Sequence, residues 1–150
     1  MKFNLFLNSE EEHLDLHVKN KNSFVEDISN LVDNYNSIID GKNIFGYLQD
    51  DIVPISLSDV NRFFVQDNKT MISTNGKIYK SKYRLYQIEE ILNDEFIKIN
   101  QSCIINKRKI KKFSVSWNGS LSVELISGEI DYISRRQLKI VKERMGLKNE

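Results

Sequence analysis

Arg135 and Arg136 follow directly on Ser134, which together with Gln137 has the spacing of a capping box that opens a helix. Cations in a first helical turn oppose the helix dipole, at about 0.3–1 kcal/mol each. They make sense if an anion sits there, where free helix N–H groups and two guanidinium forks together hold a phosphate. The alternative is a pair of surface arginines neutralised by Glu129 or Asp131. A second concentration of charge, Lys107-Arg108-Lys109-Ile110-Lys111-Lys112, sets five cations around one apolar residue. It is either a phosphate-binding surface or a solvated face. Two polar runs between strand-like segments, Asn68-Lys69-Thr70 and Asn100-Gln101-Ser102, carry amides. Amides offer donor and acceptor together and so suit base edges, although turn chemistry favours Asn at the same places.

Other chemistry is sparse. His13, Asp15 and His17 fall on one side of an alternating segment and invite a metal. A strand sets its i and i+4 side chains about 13 Å apart, too far for two imidazoles to share one ion, so no metal is expected. Cys103 has no His nearby and reads as a small buried apolar residue. There is no Gly-rich phosphate loop, paired Cys motif, His-Glu-x-x-His or Gly-x-Ser-x-Gly. Neither an enzyme nor a cofactor is expected.

The elements that must position these residues are short. Lys2–Leu7 and His13–Val18 read as strands. Ser23 with Glu26, followed by Phe24, Ile28, Leu31 and Val32, reads as a capped helix. From Ile44 onward strands recur at close intervals: Ile44–Gln49, Ile52–Ser56, Val60–Gln66, Thr70–Thr74, Lys77–Lys82, Phe96–Asn100, Cys103–Ile105, Ile110–Trp117, Leu121–Leu125 and Ile130–Ile133. Pro54 suggests an edge strand, while Asn75-Gly76 and Asn118-Gly119 suggest hairpin turns. Leu85, Ile88 and Leu92 mark a short amphipathic helix. A last helix carries Leu138, Val141 and Met145 on one face and stops at Gly146. The expected fold is therefore mainly β, with three helices at most.

Composition fits that architecture. The 150 residues are 40% apolar and 29% charged, enough for one core or one with an appendage. One cysteine excludes a disulfide-stapled scaffold. No apolar run approaches the roughly 18 residues of a membrane span, and the start lacks a signal-peptide layout, so a cytoplasmic protein is expected. The net charge of +1 hides a gradient: −5 over residues 1–50, zero over 51–100 and +6 over 101–150. Such asymmetry points to an anionic partner for the C-terminal third.

Four stretches carry a family resemblance. They are Ile55-Ser56-Leu57-Ser58-Asp59-Val60-Asn61-Arg62-Phe63-Phe64-Val65; Ser81-Lys82-Tyr83-Arg84-Leu85-Tyr86-Gln87-Ile88-Glu89-Glu90-Ile91-Leu92; Phe96-Ile97-Lys98-Ile99-Asn100-Gln101-Ser102-Cys103-Ile104-Ile105-Asn106; and Ile133-Ser134-Arg135-Arg136-Gln137-Leu138-Lys139. In this order and spacing, residues from about 45 to 146 resemble the LytTR-type DNA-binding domain of bacterial transcription regulators. The resemblance implies small antiparallel β-sheets with short helices, not a helix-turn-helix, with loops entering successive major grooves of one DNA face. It divides the chain into an N-terminal β-β-α segment (1–45) and a LytTR-like domain (46–150).

Carried over to this sequence, it puts Asn68, Lys69 or Thr70 in the first reading loop, Asn100, Gln101 and Ser102 in the second, and Arg135 with Arg136 in the third. Lys98, Lys107, Arg108, Lys109, Lys111, Lys112 and Lys139 are the expected phosphate contacts. The family's usual His-Arg before the Ser is Asn100-Gln101 here, and Lys98 replaces an Arg, losing bidentate geometry. The first 45 residues do not resemble a receiver domain. They are similar to the N-terminal segment of stand-alone members, which are often paired with a small membrane protein that restrains them. The expected function is thus a sequence-specific transcription regulator of double-stranded DNA, acting as a homodimer or pair, with no small-molecule substrate. The alternative is an interaction adaptor or anti-regulator on the same β domain that does not touch DNA.

Overall fold

The computed structural model describes residue 20, residues 23–30 and residues 43–147. The expected strands at Lys2–Leu7 and His13–Val18, and with them His13, Asp15 and His17, lie outside the described residues. Residues 23–30 are helical (α1), where the apolar spacing predicts a helix, with Ser23 already inside it.

Ten strands follow among the described residues: β1 (Asn43–Leu48), β2 (Asp51–Ser56), β3 (Val60–Gln66), β4 (Lys69–Thr74), β5 (Ile78–Lys80), β6 (Phe96–Asn100), β7 (Cys103–Asn106), β8 (Ile110–Val115), β9 (Leu121–Leu125) and β10 (Ile130–Ile133). Two helices are interleaved with them, α2 (Leu85–Ile91) and α3 (Arg135–Met145). All strand pairs are antiparallel. A seven-stranded sheet has the order β2-β1-β5-β4-β3-β7-β6, and a three-stranded sheet the order β10-β9-β8. Pro54 does lie on an edge strand, where its missing N–H costs no ladder bond. β1 begins at Asn43, so the large sheet takes in residues on both sides of position 45.

The large sheet separates two cores. Ile44, Phe63, Ile72, Ile104 and Phe96 pack with Ile88 of α2 on one side. Ile97, Ile99, Cys103 and Ile105 pack with Val123 and Leu125 of the small sheet and Val141 of α3 on the other. Successive residues such as Ile104 and Ile105 thus serve opposite cores, which is why β7 opens on the unbroken apolar run Cys103-Ile104-Ile105. Leu138 and Met145 join Val141 against the second core, as the helical spacing predicts.

Turn chemistry differs in detail from expectation. The two-residue left-handed turn is Asp67–Asn68, with φ of 51° and 59°; in the Asn75-Gly76 turn only Gly76 takes positive φ, at 95°. β8 ends at Val115, short of Trp117, because Ser116 already belongs to the hairpin turn: its N–H donates to Ser120 O at 2.8 Å.

Candidate nucleic-acid interface

Antiparallel register decides which loops share an edge. Phe64 pairs with Cys103 and Gln66 with Lys69, so the Asp67–Asn68 turn and the Gln101–Ser102 turn leave the same end of the large sheet. The backbone N–H of Val65 donates to Ser102 O at 2.9 Å and fastens the two turns together. The third segment joins through β6, since Ser134 N–H donates to Ile99 O at 2.9 Å.

Asn100 completes the tie. It is 2% exposed. Its Nδ2 donates to Tyr132 O at 2.9 Å, and its Oδ1 accepts from Ser102 N at 2.9 Å and Ser102 Oγ at 3.2 Å. Asn100 is therefore no base reader: its amide is spent inside the protein, holding the second loop against the third. Thr70, 5% exposed on β4, is largely withdrawn from the surface and reaches this edge only where it lines a concavity shared with Asn68 and Gln101. Asn68, Lys69, Gln101 and Ser102 remain exposed at this edge.

Asn68, Lys98 and Gln101 line one concavity of about 390 Å³, together with Arg84 and Tyr86. Sequence reasoning passes over those last two, although their signal is present. Leu85 and Ile88 face the core, so Arg84 and Tyr86 face away from it, and Tyr86 is 60% exposed.

α3 starts as expected. Ser134 Oγ accepts from Gln137 N–H at 3.3 Å, and Arg135 and Arg136 are exposed beside the free N–H groups of the first turn. The acids that could have neutralised them are engaged elsewhere. Arg62 on β3 donates from Nε to Glu129 Oε1 at 3.0 Å and from Nη1 to Asp131 Oδ2 at 2.5 Å. Among the described residues no carboxylate pairs with Arg135 or Arg136. Two guanidinium groups at a helix N-terminus, with their candidate counter-charges occupied, leave a local excess of positive charge there.

The expected phosphate contacts fare unevenly. Asn106 pairs with Phe96, and Ile110 with Leu125, so Lys107–Lys112 sits at the end of both sheets away from the three loops, roughly 13 Å along β7 from the second. Arg108 pairs with Glu95 at 2.6 Å, and Lys111 and Lys112 both reach Glu124, at 3.2 and 3.3 Å. Hydrogen bonds from these two lysines hold the Glu124 carboxyl below its ordinary range. Lys107 and Lys109 are half-buried in a 3-10 turn. The structure thus does not bring this run to the loop edge. Lys98 lies nearer but pairs with Glu89 at 3.1 Å. Lys139 is exposed one turn beyond the two arginines.

The LytTr DNA-binding domain model matches residues 50–146. The chain belongs to the LytTR family. Two relatives from Staphylococcus aureus, of strains MSSA476 and N315, bear the name "Uncharacterized HTH-type transcriptional regulator". Each is 37% identical over 98% of this chain and 99% of its own length. A solved LytTr DNA-binding domain from Bacillus cereus superimposes with a TM-score of 0.68 at 22% identity, covering 71% of this chain and 98% of that one. The expected mainly β architecture is therefore the LytTR fold. The name of the relatives notwithstanding, no helix-turn-helix occurs among the described residues of this LytTR chain: α2 and α3 are separated by five strands. No helix among them is long and apolar enough to cross a membrane.

Proposed function

We propose that this LytTR protein is a cytoplasmic transcription regulator that reads double-stranded DNA through three loops on one edge. Asn68, Gln101 and the pair Arg135 and Arg136 face base edges in the major groove. Lys69, Arg84 and Lys139 hold phosphates and set the register. One observation carries the reading: three loops remote in sequence are tied together by Val65–Ser102, Asn100–Tyr132 and Ser134–Ile99 hydrogen bonds, with two uncompensated arginines among them. Asn100 acts behind the surface, as a positioning residue, and the exposed Ser102 is held in place by it. The protein binds as a homodimer or pair. The acidic N-terminal segment supplies the surface for that pairing or for a restraining partner such as a small membrane protein; its negative charge suits a protein contact rather than DNA.

Binding is measured by fluorescence anisotropy on duplexes from the upstream region of the protein's own gene. Arg135→Ala and Arg136→Ala each weaken specific binding by about 1–3 kcal/mol and relax base preference. Lys139→Ala weakens binding to all sequences and lowers the salt slope by about one unit. If the double arginine variant bound every duplex like the parent, the site would be wrong.

A second reading, a protein-interaction adaptor, draws on the small sheet. Ile130 and Tyr132, each 64% exposed, and Ile126, 66% exposed, lie on or next to its outer face. An adaptor gives no salt-dependent anisotropy change with any duplex.

A further inference from the structure

Trp117 is 99% exposed, and Val115 beside it is 72% exposed. A bare indole is uncommon on a surface, and here the turn that carries it is tied down by hydrogen bonds. Ser116 N–H donates to Ser120 O and Gly119 N–H to Ser116 O, both at 2.8 Å. Asn118 Oδ1 accepts from Ser120 N at 3.1 Å and Ser120 Oγ at 2.7 Å. Gly119 takes φ of 81°, which closes the turn. The tip of the β8–β9 hairpin is thus a closed, hydrogen-bonded turn carrying one aromatic ring.

Register fixes where that turn stands. Val115 pairs with Leu121, and Leu121 with Ile133, across the small sheet. The hairpin tip and the Ser134–Arg136 segment therefore leave the same end of that sheet, two strand spacings or roughly 10 Å apart. Charge agrees. No Asp or Glu occurs anywhere from Phe96 to Val123, a stretch that contains both the second loop and this hairpin. No residue of the tip itself carries a negative charge, and Ser116, Asn118 and Ser120 bring hydroxyl and amide groups.

We propose that the β8–β9 hairpin tip is a fourth DNA contact, with Trp117 packed against the duplex next to Arg135 and Arg136. The proposal rests on the DNA-binding reading above. An indole suits such a contact, because its apolar faces cover deoxyribose or a base step and its N–H donates to a phosphate or a groove acceptor. Its place outside the three reading loops makes it a flanking contact, which adds affinity and favours steps that open easily.

Trp117 is the single tryptophan of the chain, so its emission reports this site alone. The full-length protein is titrated with a fluorescein-labelled duplex from its own upstream region, following label anisotropy and, on an unlabelled duplex of the same sequence, acrylamide quenching of Trp117. At saturating DNA the quenching constant drops at least about twofold, and Trp117→Ala weakens binding by about fivefold to tenfold, with partial rescue in Trp117→Phe. Protection from quencher decides the contact; the variants measure its worth. If anisotropy saturates while quenching is unchanged, the tip does not touch DNA and the proposal is overturned, leaving the DNA-binding reading intact. If anisotropy rises with no duplex, both fall.

Discussion

Asn100 shows how one side chain changes role between sequence and structure. An exposed amide next to a turn has the donor and acceptor of a base reader. The same amide serves equally as an internal tie, and its partner, Tyr132 O, lies 32 positions away. No local pattern encodes a contact of that range, whereas the polar neighbours Gln101 and Ser102, left exposed, were legible. Asn100→Ala leaves Tyr132 O and Ser102 N without their buried partner. The expected cost is about 1–3 kcal/mol in urea unfolding. Because the second and third loops lose one of their two ties, discrimination between specific and random duplexes falls further than the random affinity does. Equal losses on both duplexes would make Asn100 merely structural. Cys103 is a simpler case. Burial, with the Asp131 carboxylate beside it, pushes its thiol far up, so it stays protonated at neutral pH. Its reaction with a thiol reagent is expected to be slow in the native protein and to accelerate on unfolding, measured by absorbance.

At the level of elements, apolar patterning is a good guide and charge patterning a poor one. The bounds of β3, β6 and β10 agree with the apolar and β-branched segments marked out by the sequence, because each strand's burial is dictated by its own side chains. The composition of the Lys107–Lys112 run points to phosphate, yet pairing of β7 with β6 and of β8 with β9 carries it to the other end. Register is a property of two strands at once, so composition is silent about it. Pairing of β1 with β2 and β5 makes Gly46 necessary. A Cβ there would stand 2.5 Å from Ile55 Cδ1 and 2.6 Å from Tyr79 Cβ. Ile55 can turn its terminal methyl away, but Tyr79 Cβ is fixed to the backbone of β5. Gly46→Ala is expected to destabilise by about 1–3 kcal/mol through overpacking between β1 and β5. A thermal midpoint unchanged from the parent would show that the edge strands yield. DNA affinity should hold, since β1 and β2 lie across the sheet from the reading loops.

Across the whole molecule, the two sheets are joined by more than apolar packing. Arg62 reaches from β3 to Glu129 and Asp131, and its guanidinium lies 4.3 Å from the Phe64 ring centroid. Ser73 Oγ on β4 donates to Glu129 Oε1 at 2.5 Å, and Ser127 Oγ to Glu129 Oε2 at 2.7 Å. Since Asp131 lies three residues before Ser134, this clamp also fixes the direction in which Arg135 and Arg136 emerge. Burial alone would raise the Glu129 carboxyl, but the hydroxyl donors and the Arg62 charge outweigh it and hold it below its ordinary 4.5. A carboxyl whose native value is depressed adds stability above about pH 4.5, and that stability is lost as pH falls through the native value. Arg62→Met keeps the bulk and removes the cation, leaving two carboxylates part-buried without it. At neutral pH the variant is expected to lose about 3 kcal/mol in urea unfolding. As pH falls through the depressed native value of Glu129, that carboxyl takes up a proton and no longer needs the cation, so the gap between parent and variant narrows. A gap that stayed constant from neutral to acid pH would mean that Arg62 contributes through its packing on Phe64 and not through its charge.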